Sequence, residues 1–200
     1  MLVLIGGPTG VGKTTLIEAL AADGCGVVHT LTTRPPRPGD RFKTSVSPET
    51  YAKAVAMLFW PAQHLYGAFY GEDYATVMAA ACPLNPRPWL IDAAPETIVI
   101  FDHVPHFTLV LMPADGDALL TRTLAAANRL ERLEKARLET VEWRRIIAAA
   151  RPVPSDGTTV TGTAEVPCRW GQQAEIVEFS KNQLRTWRTH PGGARKSLEP

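Results

Sequence analysis

Residues 2–5 are uniformly apolar and stop at Gly6-Gly7. A short unbroken apolar run ended by glycine predicts a buried, central, parallel strand. Past a glycine-rich stretch, Leu16, Leu20 and Ala21 recur at helical spacing as far as Gly24, a natural stop. The opening unit is therefore strand, glycine loop, helix. Residues 25–31 predict a second short strand. Residues 32–40 (TTRPPRPGD) are proline-rich, and each proline pushes its predecessor out of the helical region, so the segment is extended. Ser47 as N-cap and Pro48 in the first turn open a helix over 47–58. Residues 59–70 are aromatic-rich and predict irregular chain, and 72–81 a helix.

Further along, residues 89–92 (WLID) and 108–112 (TLVLM) predict strands. The β-branched run between them favours strand. A parallel connection needs a crossover, however, and Pro95 suits a helix start, so the segment is assigned as helix. Residues 115–150 predict one long helical stretch dense in Arg, Glu, Leu and Ala. A short edge strand is expected within 156–163. Ile176, Phe179, Leu184 and Trp187 mark a last amphipathic helix over 172–189, followed by a disordered tail over 191–200. Alternating strands and helices define an α/β fold with a parallel sheet, with residues 33–86 as a small inserted unit.

The chain has 200 residues, 45% of them hydrophobic, which suits one domain over residues 1–190. Lys plus Arg is 21 and Asp plus Glu is 20, a net charge of +1. Such a balance gives no general electrostatic footprint for nucleic acid or membrane, so local clusters must carry any such role. Cys25, Cys82 and Cys168 form no CxxC pair, which argues against a zinc ribbon or a disulfide framework. His29, His64, His103, His106 and His190 show no metal-ligand spacing, and His103 and His106 are expected at the surface or a helix end. No apolar run approaches the roughly 20 residues of a membrane span. The opening MLVLI is too short for a signal sequence, so a cytoplasmic protein is expected.

Gly7-Pro8-Thr9-Gly10-Val11-Gly12-Lys13-Thr14 fits G-x-x-x-x-G-K-[ST]. The glycines allow backbone N–H groups to converge on phosphate oxygens, and the helix that follows presents its positive end to the same anion. Lys13 supplies a point charge for the β- and γ-phosphates of ATP. The Thr14 hydroxyl is the expected Mg2+ ligand, and Thr15 follows it in the phosphate-contacting set. Arg34 and Arg37 lie in the proline-stiffened loop, where two guanidiniums can clamp one further phosphate. Arg129, Arg132, Lys135, Arg137, Arg144 and Arg145 alternate with glutamates at i,i+3 and i,i+4 spacing, which predicts a solvated helical face. One or two of these arginines closing on phosphates is the sharper alternative.

GPTGVGKTTL, then TTRPPRPGD, then Phe69-Tyr70-Gly71 resembles the guanylate kinase family of nucleoside monophosphate kinases. The resemblance covers residues 1–138, weakly beyond Gly71. It implies a P-loop kinase core, an acceptor-binding insertion and a helical lid over 122–137. Arg34, Arg37 and Tyr70 match the family's acceptor-phosphate residues, and Thr30 its hydroxyl residue near the acceptor base. Asp92 matches a carboxylate on the metal side, with Asp102 the alternative if the preceding segment is not helical. Arg122 and Arg137 resemble lid arginines that approach the transferred phosphate.

The chain departs from the family in its base-reading residues. Pro61 stands where the family reads guanine with a glutamate, Phe42 and Lys43 replace an expected tyrosine, and AAANRLER replaces the lid's RGRG run. Glu72 takes the place of a hydroxyl residue; it either reads the acceptor base or caps the adjacent helix. Trp60 could stack on a base. The implied partner is a nucleotide monophosphate acceptor, with no membrane, little case for nucleic acid and no implied oligomeric state. A sugar phosphate or a hydroxymethylated base in DNA is the alternative acceptor. A non-catalytic binding module is the third reading, against which Gly12, Lys13 and Thr14 are all present.

Overall fold

A computed structural model describes residues 1–189 apart from 38, 58, 66, 83, 102–103, 151–160 and 170. The first half of the chain forms β1 (Leu2–Gly6), α1 (Lys13–Ala22), β2 (Gly26–Val27), β3 (Thr30–Thr32) and β4 (Lys43–Ser45). These are followed by α2 (Pro48–Met57), β5 (Phe59–Leu65), β6 (Ala68–Asp73) and α3 (Tyr74–Ala81). The second half forms β7 (Trp89–Asp92), α4 (Pro95–Ile100), β8 (His106–Pro113) and α5 (Ala118–Ala126). A 3-10 turn, Leu130–Arg132, leads into α6 (Leu133–Ala149), β9 (Thr161–Cys168) and α7 (Gln173–Thr189).

Strands β2-β7-β1-β8-β9 make one parallel sheet with helices on both faces, the α/β core expected from the alternation. β1 lies at its centre. Val3 and Ile5 pack on one face with Leu16, Ile17 and Leu20 of α1 and Leu184 of α7. Leu2 and Leu4 pack on the other with Val77, Ala80 and Ala81 of α3 and with Phe101. Both faces are therefore covered, which is why this strand shows no polar alternation. Each fully buried Leu or Ile contributes about 1.5–3 kcal/mol relative to exposure.

A second sheet, β4-β3-β6-β5, stands beside the first. In it β3 pairs with β4 in parallel, while β6 runs antiparallel to both β3 and β5. The expected single strand over 25–31 is thus two strands in different sheets: β2 joins the core and β3 leaves it. Residues 59–70, expected to be irregular, belong to the β5–β6 hairpin, with Gly67 at φ 76 beside its turn and a register shift between Trp60 and Gln63.

The helix expected over 72–81 starts instead at Tyr74. Asp73 is its N-cap, accepting from Ala75 N at 3.2 Å and from Thr76 Oγ1 at 2.5 Å. Glu72 is a strand residue, directly opposite Thr30, and so does not cap. The expected continuous helix over 115–150 is broken. Asn128, at φ 52, sits in the left-handed region that closes α5, and Arg129 N donates to Leu124 O at 2.7 Å.

The described part of the expected edge strand belongs to β9, while residues 156–160 lie outside the described set, as do Asp102, His103 and the tail over 191–200. His106 is buried, not superficial, with Nδ1 2.7 Å from Val104 O. α4 forms over the segment assigned as helix despite its β-branched residues.

Asp73→Ala removes the α3 cap and should cost about 1 kcal/mol. Urea unfolding checks this as a lower midpoint with an unchanged slope.

Candidate functional site

The glycine loop joins β1 to α1, and its backbone at Gly7 and Gly12 favours glycine. Gly7 has φ 134, and a Cβ there would stand 2.5 Å from the Leu111 carbonyl oxygen. Gly12 has φ 106 and immediately precedes α1. That helix has no side-chain cap and no acid in its first turn, so its N-terminal N–H groups remain available to an anion. Lys13 Nζ donates to Gly7 O at 2.6 Å and Pro8 O at 3.3 Å. Burial holds the Lys13 pKa below its ordinary value, against the opposing pull of Asp92 and Glu139. Thr9 N donates to Glu139 Oε2 at 2.6 Å.

In the loop after β3, Arg34 is buried and bonded through Nη2 to Asp40 Oδ2 at 2.7 Å and through Nη1 to Pro35 O at 3.0 Å. The same Asp40 oxygen accepts from Arg37 N at 2.8 Å. One carboxylate thus ties the proline-stiffened loop together, holding the Arg34 guanidinium and the Arg37 backbone. Burial lowers the Arg37 pKa, and the nearby Arg34 and Arg132 guanidiniums lower it further.

Asp92 and Glu72 line the same cleft. Asp92, at the end of β7, bonds Lys43 Nζ from β4 at 2.6 Å. Burial alone would raise the Asp92 pKa, but Lys43 and Lys13 outweigh it and hold the carboxyl low. Burial would lower the Lys43 pKa, and Asp92 reverses that. Glu72, on β6, is only 3% exposed. Its Oε1 accepts from Thr30 Oγ1 at 3.3 Å, while Oε2 has no partner among the described residues. Burial pushes this carboxyl up to about 7, despite Thr30 and Lys43. The buried Tyr51 hydroxyl is also unpartnered among the described residues, and burial followed by the Glu72 charge raises its pKa to about 12.

These groups share one cleft of about 510 Å3. The structure brings together Gly7, Thr9, Gly10, Gly12, Lys13, Thr14 and Thr15 with Thr30, Arg34, Arg37, Tyr70, Glu72 and Asp92. Pro8 and Val11 belong to the loop without lining the cleft; Val11 is buried in the core. Arg122 and Arg137 do not line it either. Arg137 Nε is held by Asp117 at 2.6 Å, which raises its pKa. Arg129 beside the break at Asn128, Arg132 of the 3-10 turn and Lys135 in the first turn of α6 line the cleft instead. Their neighbours still form the expected surface pairs, Arg137–Glu134 and Arg145–Glu142.

Sequence reasoning did not place Lys43, Asp40, Gln63 or Glu139 in the cleft. Only Asp40, inside the same short loop as both arginines, carried a local signal. The Trp60 side chain lies outside the described set.

The parallel core and the glycine loop at its strand ends define a P-loop kinase-like α/β protein. No family model and no curated protein matches the sequence. Among solved structures it is similar to the guanylate kinase from Anaplasma phagocytophilum, with a TM-score of 0.58 and 16% identity. The match covers 95% of this chain and 86% of that one, and establishes a guanylate kinase-like fold.

A buried carboxyl whose pKa is raised on folding opposes stability once it ionises. Its contribution is complete below its ordinary pKa of 4.5 and is lost as pH climbs through about 7. Glu72→Gln should therefore stabilise the protein at about pH 8 by up to about 3 kcal/mol, and much less at about pH 5. Urea unfolding at the two pH values reads the difference; equal effects at both would exclude an ionising buried Glu72.

Proposed function

We propose that this cleft transfers the γ-phosphoryl group of ATP to the phosphate of a nucleoside or deoxynucleoside monophosphate. The observation that carries the reading is that two groups suited to phosphate line one cleft: the glycine loop with Lys13, and the Arg34–Arg37 loop. The loop residues Gly7 to Gly12, with Lys13, Thr14 and Thr15, take the donor phosphates. Arg34, Arg37 and Tyr70 take the acceptor phosphate. Thr30 and Glu72 meet its distal part, where the free Glu72 oxygen accepts a hydrogen bond. Residues 33–86 form the acceptor unit and 122–137 the lid, in which Arg129, Arg132 and Lys135 take the role expected of Arg122 and Arg137.

In this reading an oxygen of the acceptor phosphate attacks the γ-phosphorus in line. The new P–O bond forms as the bond to the β-phosphate oxygen breaks, and ADP leaves. The acceptor is already anionic at neutral pH, so no general base is required. Lys13 acts on the charge of the transferring group.

The oxygen donors Thr14 and Asp92 both line the cleft and suit a hard divalent cation, although Asp92 also holds Lys43. Mg2+ held there would neutralise phosphate charge. Use of ATP fits a cytoplasmic protein, and no described helix is long and apolar enough to cross a membrane.

A second reading keeps the donor and changes the acceptor to another phosphorylated compound, such as a sugar phosphate. Pro61, at the place of the family's guanine-reading glutamate, favours it. Coupled ADP release against nucleoside monophosphates and sugar phosphates separates the two. Lys13→Ala should lower kcat by about a hundredfold or more in that assay; an unchanged kcat would sink the kinase assignment.

Arg34→Ala and Arg37→Ala should each raise the acceptor KM by about 10–100-fold and leave the KM for ATP nearly unchanged. A rise in the ATP KM instead would move this loop to the donor side.

A further inference from the structure

One stripe of α6 runs along the phosphate loop. Lys135, Glu139 and Trp143 follow each other at four-residue spacing and so share a helix face. Trp143 is fully buried, with its indole over Gly6 so closely that any Cβ there would overlap the ring. This contact fixes the helix against the root of the loop. One turn earlier, Glu139 Oε2 accepts the Thr9 N–H at 2.6 Å. Its second oxygen lies 3.6 Å from Lys135 Nζ. The Glu139 side chain is 12% exposed, lines the cleft beside Gly10, Gly12 and Lys13, and its charge acts on Lys13. The Lys13 ammonium, in turn, donates to the loop's own carbonyls, Gly7 O and Pro8 O.

A carboxylate offers a backbone N–H what a phosphate offers: anionic oxygens at hydrogen-bonding distance. It cannot stay there beside an incoming polyphosphate, because like charges at that range repel strongly in a partly dehydrated cleft. We infer that Glu139 is an internal occupant of the phosphate loop, which the donor's phosphates must displace. Its departure hands Lys135 from a carboxylate to the arriving charge and releases only the first turns of α6 from Thr9, Trp143 holding the rest of the helix. The 3-10 turn bearing Arg132 leads directly into that helix, so donor arrival and lid movement become one event. The inference rests on the loop being a phosphate site, and it adds that the site carries its own competitor for that ligand.

Calorimetric titration with inorganic tripolyphosphate and with ADP tests it on the full chain. Glu139→Gln, which keeps shape and removes charge, should lower both Kd values by about tenfold. Glu139→Ala should lower them at least as far. The Thr9 amide proton resonance should move upfield in Glu139→Gln without ligand, as loss of a charged acceptor requires, and this needs no binding at all. Melting curves confirm that both variants are folded. Kd values unchanged or raised in both variants, or a Thr9 resonance unmoved by the substitution, would overturn the inference while leaving the phosphate loop intact. Absence of tripolyphosphate binding in parent and variants alike would overturn the phosphate-site reading itself.

Discussion

Parallel register about β1 is the constraint on which the cleft depends. Ile5 lies level with Asp92 on one neighbour and with Leu109 on the other. The chain leaving β1 as the glycine loop and the carboxylate ending β7 therefore emerge at the same sheet edge. Strand ends at that edge are where open α/β sheets hold ligands, since loops there are released from pairing while the strands stay rigid. Burial of β1 on both faces fixes this geometry from below.

The second sheet is tied to that edge by the Lys43–Asp92 ion pair, which joins β4 to β7. This partly buried pair gives little net stability, but loss of either partner leaves an uncompensated charge, so the pair fixes position more than it adds stability. The cleft's described lining holds seven Lys or Arg and four Asp or Glu side chains. A chain with a net charge of +1 thus concentrates positive potential where phosphates would sit. Bulk charge argued against general polyanion binding, and it could not register this local excess.

The glycine loop was legible because all of it is contiguous: strand, turn glycines, lysine and helix follow within fourteen residues of the start. The arginines and Asp40 were compact for the same reason. Lys43 meets Asp92 from 49 positions away and Glu139 meets Thr9 from 130 away, and no local pattern announces either contact. The split of 25–31 between two sheets was hidden because both halves suit a strand equally well. The hairpin at 59–73 was obscured by Pro61 and by aromatic residues without alternation. The helix break did carry a signal, an asparagine after an alanine run. Arg122 lies before that break and Arg137 well beyond it, and neither lines the cleft, whereas Arg129, Arg132 and Lys135, next after the break, do.

The placement of β1 also bears on how the chain is made. Its partners lie some eighty to a hundred residues downstream, so at about 5–20 residues per second of synthesis the strand waits several seconds with both edges bare. A bare, uncharged Leu-Val-Leu-Ile segment is the kind that templates aggregation. Gly6, Gly7 and Pro8 follow it at once, and such residues are poor at extending a strand into a longer sticky edge. The turn that serves the cleft in the finished protein thereby acts as a gatekeeper while that protein is still being synthesised.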